Sequence, residues 1–260
     1  MTMPPLFDTH CHFDFEHFQG DFNAELSSAE REGVKKFLIP AINESNWQAV
    51  QLLSSQHPQI YHALGFHPYF LNDSVEQDVK ALSQALELRS PQCVAIGECG
   101  LDFSIDASQA LQERYLLIQL ELAQQYQLPV ILHCHKANHR LIPLLKKYPL
   151  AKGGILHGFS GSLQQAMDFI ELGFYIGVGG TITYPRANKT RKTMSDLPLD
   201  YLVIETDAPD MPMCGFQGKK NHPKMLPKVL SELALLKEQS EQTVAQSLWE
   251  SSHRSLFICE

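Results

Sequence analysis

Two short apolar segments near the middle of the chain each end in a histidine: residues 128–133 read L-P-V-I-L-H, and residues 153–157 read G-G-I-L-H. A short, continuous apolar run bounded by glycine or proline favours a strand that is buried on both faces, as in a parallel sheet. Segments with apolar residues at helical spacing separate such runs, as residues 111–125 do before the first of them. The pattern therefore predicts alternating strands and helices.

The same alternation extends over the whole chain of 260 residues. Strands that alternate with helices are typical of parallel βαβ units, and eight units in a chain of this length predict a closed TIM (β/α)8 barrel. A doubly wound open sheet is the alternative, which the lack of a G-x-G-x-x-G motif after the first strand disfavours. We predict a single domain over residues 1–260, because no linker or low-complexity tract interrupts the pattern. The eight predicted strands are residues 5–10, 36–40, 60–65, 93–97, 129–133, 154–157, 173–178 and 201–205, and the predicted helices include residues 77–88, 111–125, 163–172 and 224–237.

The composition limits the classes of function. A net charge of −8 argues against a protein that coats nucleic acid with a broad basic surface. The six cysteines form no C-x-x-C pair, which disfavours a disulfide framework or a zinc ribbon. The first residues lack the features of a signal peptide, and no apolar stretch is long enough to span a membrane. We therefore predict a cytoplasmic protein that needs neither a membrane nor an obligate protein partner.

Side chains that bind metals recur where the predicted strands end, and in TIM barrels the catalytic groups lie at the carboxyl ends of the strands. Residues two apart on a strand share a face, so His10 and His12 are predicted to point toward the barrel axis while Cys11 points away. Burying many imidazoles and carboxylates together without a cation would be costly, and these donors suit Zn²⁺, Mn²⁺ or Mg²⁺. The predicted metal ligands are His10, His12, Glu98, His133, His157 and Asp207.

Two carboxylates near the end of the eighth strand are predicted to be catalytic. Glu205 and Asp207 lie two residues apart and therefore share a face. Two interpretations of Asp207 remain open: it deprotonates the attacking water while it binds a metal ion, or it is a ligand only. Glu205 is either a second catalytic carboxylate or the structural partner of a histidine N–H, as is common around metal ligands.

Basic residues follow the seventh and eighth strands, where TIM barrels often bind phosphate. Arg186 and Lys189 come after the seventh strand, and Lys219 and Lys220 come after the eighth. We predict that Arg186 and Lys189 bind substrate phosphates, with a solvated helix surface as the alternative. His67, which follows the third strand, is a further candidate for substrate binding, with a structural turn histidine as the alternative.

Other chemistry-bearing residues are assigned to the scaffold. The aromatic residues Phe13, Phe15 and Phe18 are predicted to pack in the core, with stacking on nucleobases as the alternative. Asp102 is predicted to have a structural role, with orientation of the site as the alternative.

Several longer motifs together cover nearly the whole chain. They read F-D-T-H-C-H from Phe7, I-G-E-C-G-L-D from Ile96, L-P-V-I-L-H from Leu128, H-G-F-S-G-S from His157, G-V-G-G-T-I-T-Y-P-R-A from Gly177 and E-T-D-A-P-D-M-P from Glu205. The set resembles the TatD-type deoxyribonucleases among the amidohydrolase-like metal-dependent hydrolases, and it is most similar to the bacterial YjjV-type branch of that family. The first, second and last motifs are together highly specific.

The resemblance implies an amidohydrolase-like TIM barrel that binds two divalent ions and hydrolyses phosphodiester bonds of DNA, on single strands or at strand ends. By position, Glu98 would bridge the two ions, and Glu205 resembles a carboxylate that lies behind the ligands or binds an occasional extra ion. The residues implied around the first ion are His10, His12, Glu98 and Asp207, and those implied around the second are Glu98, His133 and His157.

The chain departs from the family pattern in two places. After the fifth strand the family usually reads H-S-R-D-A, whereas residues 133–137 read H-C-H-K-A, so His135 and Lys136 replace an arginine and an acid. Near the end of the chain, Ser252 and His253 stand where the family usually has Asn-Thr. Both departures leave the implied metal ligands in place.

Two other classes of function remain open at this point. An amidohydrolase-like enzyme that acts on an amide, a lactone or an aminoacyl ester would use the same metal centre. A non-catalytic protein would bind metal without turnover of any substrate. The basic residues after the seventh and eighth strands favour the nuclease over the amidohydrolase-like enzyme, and the intact ligand set with a candidate base disfavours the non-catalytic protein.

Overall fold

The protein's structure, a computed structural model that describes residues 3–258, is built on one sheet of eight parallel strands. Each strand pairs with the next one along the chain. Every predicted strand overlaps one observed strand, so the prediction of alternating strands and helices is confirmed. The strands are β1 (Leu6–Asp8), β2 (Val34–Pro40), β3 (Ile60–Leu64), β4 (Cys93–Asp102), β5 (Val130–His135), β6 (Gly154–Leu156), β7 (Phe174–Val178) and β8 (Leu202–Ile204).

An α-helix follows each strand, and two follow the last one. Side-chain caps begin the helices that come after β4 and β6: Ser108 accepts a hydrogen bond from the Leu111 N–H, and Ser162 forms a capping box with Gln165. No helix within residues 3–258 is long and apolar enough to cross a membrane. The helices are α1 (Phe22–Arg31), α2 (Glu44–Gln56), α3 (Val75–Glu87), α4 (Gln109–Tyr126), α5 (Asn138–Lys147), α6 (Leu163–Glu171), α7 (Asn188–Asp196), α8 (Leu226–Lys237) and α9 (Glu241–Leu256).

Hydrogen bonds between the ends of β1 and β8 close the sheet into a barrel. The Thr9 N–H donates to the Ile204 carbonyl at 3.1 Å, and the Asp207 N–H donates to the His10 carbonyl at 2.9 Å. The buried Asp8 carboxylate accepts from the backbone N–H of Thr206 at 3.0 Å and from its hydroxyl at 2.6 Å. The TIM-barrel prediction is therefore confirmed, and the open-sheet alternative is wrong.

A small apolar cluster occupies the inside of the barrel, and a larger one lies between the strands and the helices. Leu256 of α9 joins the inner cluster, so this helix covers the end of the barrel where the strands begin. The predicted metal ligands lie at the opposite end, where the strands finish. The inner cluster contains Phe7, Leu38, Ala63, Val94, Ala95, Ile131, Ile155, Val203 and Leu256.

The observed strand ends differ from the predicted ones most clearly at β1 and β4. Because β1 ends at Asp8, His10 and His12 lie in the loop that follows it rather than in the strand. The predicted alternation still holds there, since Cys11 is fully buried and its thiol faces the Leu38 carbonyl. Strand β4 runs five residues past its predicted end at residue 97, which places Glu98 inside the strand.

Glycine allows β4 to continue beside β5. Gly100 has a φ of +148°, and a Cβ atom there would lie 1.9 Å from the His133 carbonyl oxygen. Any larger residue would push the two strands apart at this point. The close approach fixes the position of His133 relative to Glu98.

The cysteines do not form a disulfide framework within the part of the chain that the structure describes. Cys11, Cys93, Cys99, Cys134 and Cys214 are all free thiols. Cys259 lies outside the described residues.

Replacing Thr206 by valine is expected to weaken the closure of the barrel. The change removes the hydroxyl that donates to Asp8 and leaves a fully buried carboxylate with fewer donors. We expect the free energy of unfolding to fall by about 1–3 kcal/mol, measured by urea denaturation. Thr190→Val is the matched control, because Thr190 is also buried. Equal stability of the two variants would contradict the role given to the Asp8–Thr206 bond.

Candidate metal centre

The carboxylate of Glu98 lies at the centre of a group of histidines at the carboxyl end of the barrel. It comes from β4, and the residue is 1% exposed. Its two oxygens face different partners. Oε2 lies 3.2 Å from Nε2 of His10 and 3.8 Å from Nε2 of His12. Oε1 lies 2.8 Å from Nε2 of His157 and 3.3 Å from Nδ1 of His133. One carboxylate therefore joins two separate pairs of imidazoles.

Asp207 completes the group around His10 and His12. Its Oδ1 lies 3.5 Å from Nε2 of His10 and 3.9 Å from Nε2 of His12. The Asp207 residue adopts a φ of +55°, immediately after the strand-end residues that bond to β1. All six ligands predicted from the sequence are thus brought together in one place.

These residues fit divalent metal ions. His10 Nε2 and Glu98 Oε1 are buried and have no hydrogen-bond partner within residues 3–258, and neither do Nδ1 of His12 and Nδ1 of His157. Leaving so many buried polar atoms unpaired is costly unless a cation binds them. The structure contains three sets of residues whose donor atoms lie within 4.8 Å of one another inside each set. They are His10, His157 and Asp207; His10, His12 and Glu98; and His67, Glu98 and His133. Imidazole nitrogens with carboxylate oxygens are a donor set for Zn²⁺ or Mn²⁺.

Burial keeps the first pair of histidines in the neutral form that binds metal. It lowers the pKa of His10 to about 3, with repulsion from His157 as the next cause, and it lowers the pKa of His12 to about 4. For Glu98 burial acts in the opposite sense, but the surrounding histidines hold its pKa well below the usual range. Glu98 is therefore an ionised carboxylate beside the neutral imidazoles of His10 and His12.

Asp102 orients His133. The sequence predicted a structural role for Asp102, with orientation of the site as the alternative, and the structure favours the alternative. Oδ2 of Asp102 lies 2.9 Å from Nε2 of His133, so the other ring nitrogen, Nδ1, faces Glu98. Burial would lower the pKa of His133, but the hydrogen bond to Asp102 and the nearby charge of Glu98 raise it to about 9. Asp102 also accepts from the Ser104 hydroxyl at 2.6 Å, and Ser104 contacts Nδ1 of His135 at 3.0 Å. His135, which stands where the family usually has an arginine, is therefore connected to the metal centre through Ser104 and Asp102.

His67 lies closer to the centre than a substrate contact alone requires. Its Nε2 is 3.4 Å from Oε1 of Glu98, and its ring lies 4.5 Å from that of His133. The backbone N–H of Tyr69 donates to Nδ1 of His67 at 3.1 Å, so the neutral ring carries its proton on Nε2. His67 therefore presents an N–H donor to the centre. Its neighbours Glu98 and His133, in contrast, are candidates for metal ligands.

Glu205 lies behind His157. It is fully buried, its Oε1 accepts from the Gly158 N–H and lies 3.9 Å from Nδ1 of His157. Gly177 makes room for it, since a Cβ atom at that position would lie 2.5 Å from Oε2 of Glu205. Burial raises the pKa of Glu205 to about 8. This position matches a supporting carboxylate, and direct catalysis by Glu205 stays a prediction.

Arg186 and Lys189 lie farther out, Arg186 on the segment between β7 and α7 and Lys189 in the first turn of α7. Both side chains are exposed, and the Arg186 guanidinium lies 5.4 Å from the centre of the Tyr184 ring. Neither is among the described residues that line the cavity above Glu98. His253, at the other family departure, lies against Phe7 and Lys36 near the beginning of the strands.

A cavity of about 260 Å³ opens above the centre. Its walls come from the loops after β1, β2, β3 and β8 and from the ends of β4, β5 and β6. Ligand candidates form its floor, and apolar side chains form much of its rim. The lining residues are His12, Phe15, Ile42, His67, Tyr69, Phe70, Glu98, His133, His157, Asp207, Asp210 and Met211.

Comparison with known proteins identifies the class. Residues 7–257 match the family model for TatD related DNase. The sequence is 46% identical over 247 residues to YjjV of Escherichia coli K12, named an uncharacterized metal-dependent hydrolase, and the match covers 95% of each chain. It is 32% identical over 260 residues to a Salmonella typhimurium protein named 3′-5′ ssDNA/RNA exonuclease TatD, covering 97% of this chain and 98% of that one.

Solved structures agree with these sequence relationships. The crystal structure of E. coli YjjV, a TatD homologue, matches with a TM-score of 0.94 at 45% identity, covering 98% of both chains. An amidohydrolase from Saccharomyces cerevisiae has the same fold, with a TM-score of 0.83 at 17% identity, covering 97% of this chain and 99% of that one. The chain belongs to the TatD family of metal-dependent hydrolases, and the resemblance found in its sequence is confirmed.

Replacing Asp102 by asparagine is expected to weaken metal binding. An amide does not hold the Nε2 proton of His133 as a carboxylate does, so Nδ1 is less well presented. We expect the affinity for Zn²⁺ or Mn²⁺ to fall about 10- to 100-fold, measured by competition with a chelating dye.

The control for this measurement is Asp106→Asn, since Asp106 is exposed and lies in the same loop after β4. Unfolding temperatures of the metal-free proteins show whether Asp102→Asn damages the fold. Metal affinity equal to that of the wild type would contradict the orienting role of Asp102.

Proposed function

We propose that the chain hydrolyses phosphodiester bonds of DNA, on single strands or at strand ends, with two divalent ions bound in the centre. One observation carries the proposal: the two carboxylate oxygens of Glu98 face different pairs of histidines. A carboxylate in this position would help to hold both ions of a two-metal site. Support for the substrate comes from full-length relatives that are named ssDNA/RNA exonucleases.

The ligand assignment follows the distances around Glu98. When bound, a pair of divalent ions makes water more acidic and stabilises the negative charge that develops on phosphate oxygens. Zn²⁺, Mn²⁺ and Mg²⁺ are all candidates. We assign His10, His12, Glu98 and Asp207 to one ion, and Glu98, His133 and His157 to the other.

We assign the proton transfer to Asp207. Its side chain is 20% exposed and lines the cavity, so a water molecule can reach it, whereas Glu98 is almost fully enclosed. Asp207 would orient the attacking water and accept its proton. Glu205 would support this step from behind His157, since it does not line the cavity.

Substrate phosphate would be held by His67 near the centre and by Arg186 and Lys189 farther along the strand. The Nε2–H of His67 points to the centre and can donate to a phosphate oxygen. Arg186 and Lys189 are exposed, so they would contact phosphates outside the cavity.

One observation favours a second candidate function. The described residues that line the cavity include no lysine and no arginine. A neutral substrate such as an amide, a lactone or an aminoacyl ester would need no such cation, and the same centre would activate water to attack its carbonyl.

Cleavage of an end-labelled single-stranded DNA oligonucleotide tests the proposal. Metal-stripped protein is expected to be inactive and to recover activity with Zn²⁺, Mn²⁺ or Mg²⁺. Asp207→Asn is expected to lower the rate about 100-fold or more, because it removes both a ligand and the proton acceptor. The matched control is Asp168→Asn on the outer helix α6, where Asp168 accepts a hydrogen bond from Gln164 and does not line the cavity.

Two results would count against this proposal. Activity that persists in Asp207→Asn would place the chemistry elsewhere. A protein that binds metal but cleaves no DNA with any of the ions would favour the neutral substrates, for which an ester panel is the direct measurement.

Neutralising the outer cations is expected to weaken DNA binding in a salt-dependent way. Arg186→Gln combined with Lys189→Gln should raise KM for single-stranded DNA, and each lost phosphate contact should reduce the slope of log affinity against log salt by about 0.7. Lys80→Gln on α3 is the control, since Lys80 is also exposed. An unchanged salt slope would show that Arg186 and Lys189 do not bind phosphate.

A further inference from the structure

Large apolar side chains surround the opening of the metal cavity and remain exposed to solvent. Tyr69 is 55% exposed, and Phe70 and Met211 are each 43% exposed. All three line the cavity, together with the half-buried Phe15. Single exposed apolar residues are common on protein surfaces, but several around one opening mark a binding surface. We call these four residues the apolar rim.

Tyr69 is held in place at one side of the rim. Its ring lies 4.9 Å from that of His67 and 6.0 Å from that of His133. These ring contacts cover one side of Tyr69, while much of the side chain stays open to solvent.

Phe15 lines the same cavity from the loop after β1, two strands away from the loop that carries Tyr69. Its ring stacks on His12, with the ring centres 4.7 Å apart and the planes 17° from parallel. Phe13 and Phe18 are buried in the core, as predicted, whereas Phe15 reaches the cavity. Aromatic side chains therefore flank the ligand candidates on two sides.

These surfaces fit a flat, apolar group attached to the reacting phosphate. A phosphate has no apolar surface, so the rim has no use in binding phosphate alone. A nucleobase offers two π-faces, and its stacking on aromatic side chains is favourable for every base. In a duplex both faces are already stacked and the edge is paired, so only an unpaired base is available.

We propose that Tyr69 and Phe70, together with Phe15, form a stacking site for the unpaired nucleobase next to the scissile phosphate. The inference rests on the proposed phosphodiester hydrolysis at the same centre. It assigns the preference for single strands to the apolar rim, whereas the metal centre binds and hydrolyses the phosphodiester. The site does not distinguish one base from another.

Binding of two oligomers that differ only in their bases tests this inference. One is an oligothymidylate, and the other is an abasic tetrahydrofuran oligomer of equal length and charge. Phosphorothioate linkages slow hydrolysis of both during the measurement of Kd by fluorescence anisotropy. We expect metal-restored wild-type protein to bind the oligothymidylate about 5- to 100-fold more tightly.

Variants of the rim should remove this preference. In Tyr69→Leu/Phe70→Leu, which keeps apolar volume but lacks the π-faces, the two Kd values should differ several-fold less than in the wild type. Tyr69→Ala is a second variant, and Tyr201→Ala is the control, because Tyr201 is 41% exposed and lies away from the cavity. Thermal unfolding of each variant confirms that it is folded.

The outcomes separate this inference from the proposed function. Equal binding of the two oligomers by the wild type, binding of neither, or an unchanged preference in the rim variants would overturn the stacking site. If ordinary single-stranded DNA is nevertheless cleaved, the proposed function survives alone. A base preference that depends on the rim, in a protein that cleaves no DNA, would support the stacking site and remove the hydrolytic proposal.

Discussion

The buried carboxylate of Glu98 is the group on which the rest of the site depends. An ionised carboxylate without partners would be too costly at 1% exposure, so the fold must surround it with groups that compensate its charge. Histidines from both sides of the barrel do so, and their approach to opposite oxygens sets the spacing of the whole centre. Because Glu98 contacts both pairs of histidines, its substitution would disturb both pairs at once.

Strand β4 supplies more than this one residue. Four positions after Glu98, Asp102 holds the outer nitrogen of His133, and the intervening Gly100 lets β5 approach closely enough for that bond. From Asp102 the network continues to Ser104 and His135 at the surface. His135, one of the residues that depart from the family pattern, therefore contacts the outer end of the network, while Asp102 and His133 form its inner part.

Much of the fold was predictable because each strand is an apolar run with a clear boundary, and the six ligand candidates follow such runs directly. The extension of β4 was not, because Gly97 and Gly100 do not read as strand residues. Asp102 was assigned mainly to structure for the same reason. The position of His67 beside Glu98 depends on how its loop folds, and the exposure of Tyr69 and Phe70 contradicts the usual burial of aromatic residues. No sequence pattern reports which ring nitrogen faces inward.

The hydrogen bond between Thr9 and Ile204 has a consequence for synthesis, since it joins residues 195 positions apart. A ribosome releases the chain from its amino end, so β1 emerges long before its neighbour β8 exists. Until then one edge of β1 has no partner, and an unpaired strand edge is where chains associate with one another. His10 and His12, which follow β1, also lack their neighbour Asp207 until then. The barrel and its metal centre are therefore completed in the same late event, after nearly four-fifths of the chain has been made.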